Sequence, residues 1–98
     1  MKILALEKEL PGATGEKFLP VLKDEARRVW ELQQSGSLRE IYFDASQHTA
    51  VLVLECGTVN EAQQLLAGLP LVTAGLIEFQ LIPLAPYDGF ARLFDRTN

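Results

Sequence analysis

Leu65–Leu84 reads LLAGLPLVTAGLIEFQLIPL and holds a single charge, Glu78, in a chain whose residues are 22% charged. Such a run is a membrane span, an ordinary core, or a surface built for another subunit. Its length suits a span, but Gly68, Pro70, Gly75 and Pro83 interrupt it and Glu78 would meet hydrocarbon. The run divides better into a helix end stopped by Gly68 and Pro70, a loop, and a strand over 76–82 closed by Pro83.

Working outward, TVNE at 58–61 is a helix start: Thr58 caps the first amides and Glu61 reaches back to the Thr58 amide. Val59, Ala62, Leu65 and Leu66 give that helix its buried face. Before it, residues 38–44 and 48–55 read as strands joined at Ala45-Ser46-Gln47, a hairpin. From about Glu16 to Gln34, Phe18, Leu22, Ala26, Val29, Trp30 and Gln33 recur at helical spacing, with Pro20 near the start or at a kink. Gly36 is free to take positive φ and end that helix. Residues 2–9 (KILALEKE) make a first strand. The order β-α-β-β-α-β predicts an α+β, ferredoxin-like domain, with two helices on one face of a four-stranded antiparallel sheet.

One face of such a sheet is open, and polar alternation is expected there. Ile3-Leu4-Ala5-Leu6 and Ala50-Val51-Leu52-Val53-Leu54 are instead apolar on both faces. With Leu4, Leu6, Leu52 and Leu54 towards the helices, Ile3, Ala5, Val51 and Val53 face the open side, accompanied by Glu7, Tyr42, Thr49, Glu55, Glu78 and Gln80. Burying one large aliphatic side chain is worth about 1.5–3 kcal/mol, so exposing several would forgo roughly 5–10 kcal/mol. A whole domain is stable by only about 5–15 kcal/mol. The open face is therefore expected to pack on a second copy, the two sheets enclosing a partly polar cavity.

Ninety-eight residues suit one domain, 1–98, and a net charge of −4 with mixed signs argues against nucleic acid as a partner. Arg27-Arg28 sits among Asp24, Glu25 and Glu31, a solvated helix face. One cysteine, Cys56, precludes an intrachain disulfide, and a single His48 precludes a Cys/His zinc site within one chain. The first residues lack the long apolar region of a secretory signal, so a cytoplasmic location is expected.

The order of elements, LQQSG at Leu32–Gly36, LLAGLPL at Leu65–Leu71 and IPLAP at Ile82–Pro86 resemble the muconolactone δ-isomerase family across nearly the whole chain to Pro86. The resemblance implies pairing as a dimeric α+β barrel, assembly as a dimer or ring of dimers, and a cofactor-free, metal-free proton shift on an unsaturated lactone. Related members eliminate chloride from chlorinated lactones. Such chemistry needs a base beside an acidic C–H and donors for the enolate-like charge. In KDEARRVWE, Glu25 matches the family's first helix while Ala26 stands where the family has Lys. The loop after GLPL is about two residues longer, through Val72–Gly75.

Glu78 and Glu7 are accordingly the candidate bases, and Tyr42, Gln80, Glu25 and Arg28 the candidate ligand contacts. Glu55 lies beside a loop and reads as solvated, His48 as an exposed residue beside a turn, Trp30 as core and Cys56 as packing. Phe90, Leu93 and Phe94, with Arg92 and Asp95, form a one-turn amphipathic helix in the tail 87–98, which is expected to dock on a neighbouring subunit. Three functions remain open: an isomerase-like protein binding a small cyclic, carboxylated metabolite; a non-catalytic oligomeric binding or accessory protein; and a cofactor-free oxygenase.

Overall fold

The computed structural model describes residues 1–94; Asp95 and the rest of the expected tail helix, 95–98, lie outside them. Strand β1 (Lys2–Glu9) runs inside a four-stranded antiparallel sheet of order β2-β3-β1-β4, with β2 at Leu38–Phe43, β3 at Ala50–Glu55 and β4 at Ile77–Pro83. The helices between the strands cover one face, so the architecture is ferredoxin-like. Among the described residues, no helix is long and apolar enough to cross a membrane.

The expected first helix is two: α1 (Gly15–Phe18) and α2 (Leu22–Ser35). Pro20 sits in the break, where its missing N–H costs no helical hydrogen bond. Gly36 closes α2 at φ 88°, a conformation costly for any residue with a Cβ. Helix α3 (Val59–Ala67) starts on the Thr58 hydroxyl, which accepts the Glu61 amide at 3.1 Å. The Glu61 carboxylate accepts from Gly57, at 2.8 Å, one residue earlier than the Thr58 amide expected from the motif. After Gly68 the chain turns again into a short helix, α4 (Pro70–Thr73), with Pro70 at its first position, where a missing N–H does no harm.

The register corrects the expected faces of β1. Ile3 pairs with Leu54 and Leu4 with Val53, and paired residues point to the same side of a sheet. Ile3, Ala5, Leu52 and Leu54 therefore join Leu32, Ala62 and Leu66 in the core beneath the helices. Leu4, Leu6, Val51, Val53 and Ile82 are half-buried on the open face. The expectation held for β3 and was inverted for β1, and Glu7, two residues after Ala5, moves with Ala5 to the helix side.

The burial stripe of α2 is also shifted. Val21, Glu25, Val29 and Leu32 point inward, whereas Trp30, expected in the core, is 61% exposed. Strand β4 is an edge strand, and Glu78 lies exposed on it.

Beyond Pro83 the chain leaves the body. Leu84 donates to Lys2 O at 2.9 Å, after which a 3-10 turn at Gly89–Leu93 stands apart. The radius of gyration is 16.7 Å and the longest extent 61 Å, against about 13 Å expected for a compact chain of about 100 residues.

Candidate active site between helix α2 and the sheet

A cavity of about 460 Å³ opens between α2 and the end of the sheet formed by β1, β2 and β3. That volume falls in the range of small-molecule sites, about 300–1,000 Å³. Phe18, Leu22, Ala26 and Val29 wall it on the helix side, and Ile41, Phe43 and Ala50 on the sheet side. The apolar spacing that marks α2 in the sequence thus lines a cavity as much as a core. The polar groups facing it are Glu7, Glu9, Glu25 and His48.

Glu7 and Glu25 are each anchored by a backbone amide. Glu7 Oε1 accepts from Ala50 N at 3.1 Å, just past the Leu6–Val51 pair where the β1–β3 register ends. Glu25 Oε1 accepts from Leu71 N at 2.9 Å and so caps α4 from another helix; Leu69, the N-cap residue, makes no side-chain cap bond. Neither Oε2 accepts a hydrogen bond among the described residues. Burial is the largest influence on both carboxyls and pushes them above the ordinary glutamate value, opposed in each case by the backbone hydrogen bond. Glu9 adds to the rise at Glu7, His48 works against it, and Glu7 itself raises Glu25. The site is thus an apolar pocket with two anchored carboxyls in electrostatic contact.

His48 reaches the rim through backbone geometry. The Asp44 carboxylate accepts the amides of Ser46 and Gln47 at 2.8 and 2.9 Å, and His48 then adopts φ 57°. Its ring stacks on Phe43 with centroids 4.0 Å apart. β3 begins at Ala50, two residues later than the sequence pattern predicts.

Among solved structures, that of muconolactone isomerase superposes with a TM-score of 0.74 at 20% identity, covering 90% of this chain and 92% of that one. The chain has the muconolactone isomerase fold. A second structure, 5-chloro-2-hydroxyhydroquinone dehydrochlorinase from Burkholderia phenoliruptrix AC1100 in complex with 2,5-dihydroxybenzoquinone, superposes with a TM-score of 0.69 at 14% identity, covering 91% and 98%. No family model matches the sequence, and no curated protein matches it.

Of the six candidate residues, the structure brings Glu7 and Glu25 together and separates the rest. Tyr42 pairs with Val51, and Gln80 with Leu6, on the open face. The Tyr42 hydroxyl donates to Glu40 Oε1 at 2.7 Å. Glu78 pairs with Lys8 and borders a shallow groove beside α3 with Gln63 and Leu66. Arg28 faces Glu31 at 3.6 Å on the outer side of α2. Glu55 accepts the Met1 amino group at 2.6 Å, and Cys56, half-buried, has its thiol pushed up by burial. The pocket itself escaped sequence reasoning. The available signal was Glu25, a carboxylate spaced helically with Val21, Val29 and Leu32.

Proposed function

We propose that the chain binds a small cyclic, carboxylated metabolite in the pocket between α2 and the sheet and moves a proton on it, with Glu7 and Glu25 as the proton-handling pair. What carries this reading is their arrangement: two carboxyls on apolar walls, each with one oxygen fixed by a backbone amide and the other unbonded. A fixed carboxylate of raised pKa is a stronger base than a free one, and it sits nearer the pH of neutral solution. One carboxylate takes the proton from a C–H beside a carbonyl, leaving an enolate. The resulting carboxylic acid returns the proton to the far carbon of the conjugated system, which completes an isomerisation. The two structural neighbours are named for an isomerisation and a dehydrochlorination, and both reactions move a proton.

The open sheet face supports a second copy in the assembly. Leu4, Leu6, Val51, Val53 and Ile82 form a contiguous aliphatic patch in the register, of the kind that marks a protein interface. Packing there would leave the helix-side pocket of each subunit accessible, and on this reading the substrate sits within the subunit.

A second reading has its own support: the bonds from Ala50 and Leu71 give both glutamates a structural task. A panel of unsaturated lactones and ring-derived acids, followed by ultraviolet absorbance alongside calorimetric binding, separates the two. Turnover of a panel member is the expected result. Binding without turnover would establish the non-catalytic reading.

A further inference from the structure

The pocket under α2 has apolar walls and three carboxyls, Glu7, Glu9 and Glu25, with no Lys or Arg among its lining residues. A ring suits those walls, but the carboxylate of a ring acid meets like charge there. Its counter-charge has to come from beside the pocket.

A second recess, of about 530 Å³, adjoins the pocket at the end of the sheet and is lined by Glu7, Lys8, Glu9, Gln47 and Thr49. Unequal strand pairing opens it. β1 continues to Glu9 against β4, with Lys8 opposite Glu78, whereas its pairing with β3 stops at Leu6–Val51. Residues 7–9 therefore present a free edge to the β2–β3 turn, and the Ala50 amide there is taken by the Glu7 side chain at 3.1 Å. The turn is fixed in place: Asp44 N donates to Thr49 O at 2.7 Å and His48 N to Asp44 O at 2.8 Å. At φ 57°, His48 faces the pocket, while Gln47 and Thr49 on either side of it line the recess.

Lys8 is the one Lys or Arg lining either space, and among the described residues it makes no ion pair, Glu78 included. The Gln47 amide and the Thr49 hydroxyl add neutral donors beside it. Glu7 and Glu9 border both spaces. They stand two residues apart on β1, roughly 7 Å at about 3.3 Å per residue, so one small molecule reaches from one space into the other.

We propose that this recess is a carboxylate subsite: the ring of the ligand lies on the apolar walls under α2, and its carboxylate lies on the Lys8 ammonium with Gln47 and Thr49 as further donors. Glu7, common to both spaces, then stands between ring and carboxylate. The inference rests on the reading of a carboxylated ring ligand given above, and it requires no turnover.

Calorimetric binding of ring acids from the same panel, each beside its methyl ester, tests the assignment. Wild type is expected to bind at least one acid about fivefold tighter than its ester, the scale of one ion pair at an exposed site. Lys8→Met is expected to abolish that preference and leave ester affinity unchanged. Lys23→Met, an equal change of charge at an exposed position of α2, is expected to keep it. A preference that survives Lys8→Met, or that Lys23→Met reduces as much, would overturn the subsite and leave the proton-transfer reading standing. Equal binding of acids and esters, or no acid bound, would overturn the subsite together with the carboxylated ligand.

Discussion

Glu25 separates hydrogen bonding from charge at one atom. Its carboxylate is the cap of α4, holding the amide of Leu71, a residue only 5% exposed. In Glu25→Ala that amide is left without its partner in a nearly dry place, at a cost of about 1–3 kcal/mol. For a domain of about 100 residues, each 1 kcal/mol lowers Tm by roughly 4–8 °C, so Glu25→Ala is expected to melt about 4–24 °C below wild type. Glu25→Gln keeps an oxygen for Leu71 and removes the half-buried charge. Because the folded pKa is raised, mainly by burial, the native state holds the Glu25 proton more tightly than the unfolded chain does. Wild-type stability from this group is therefore full below the ordinary glutamate value and declines as pH rises through the folded pKa. Glu25→Gln has no such decline, so its Tm relative to wild type is expected to rise between pH 4 and pH 8. Circular-dichroism melts at fixed protein concentration measure both effects, since oligomerisation makes Tm concentration-dependent. Equal losses for Gln and Ala at pH 8 would mean that the Leu71 bond contributes nothing, and a Gln difference that ignores pH would mean that folding does not raise the Glu25 pKa.

Two further outcomes follow from the same contacts. Val53→Asp places a charge in the middle of the open-face patch beside Leu4 and is expected to convert a dimeric mass to a monomeric one in light scattering; an unchanged mass contradicts sheet-face pairing. Gly36→Ala meets no atom within 4 Å of the added Cβ, so its cost comes from φ 88° alone, about 1–2 kcal/mol. A Tm equal to wild type would mean that α2 ends in some other way.

The order of elements and their stops were legible because the signals are local. Thr58, Gly36 and the Gly68–Pro70 pair act on backbone groups within one turn. The phase of β1 was not legible. Ile3-Leu4-Ala5-Leu6 is apolar at every position, so alternation carries no information about which side faces the helices. Only pairing with β3 sets it, and that pairing is non-local. The same ambiguity extends to Glu7, which parity alone leaves on either face and the register sets in the pocket. Trp30 was drawn inward by its hydrophobicity, although the core stripe of α2 passes through Glu25, whose burial depends on an amide 46 positions away. Glu25 itself was legible as a candidate, through its place in KDEARRVWE, but not its partner.

On the proposed reading the pocket under α2, and not the open sheet face, handles the proton. The direct measurement is the initial rate on the best unsaturated-lactone substrate for Glu7→Gln beside Glu78→Gln. Glu7→Gln is expected to lose at least about 100-fold, the scale of general-base catalysis, while Glu78→Gln turns over at the wild-type rate. Loss of turnover in Glu78→Gln with Glu7→Gln unaffected would contradict it.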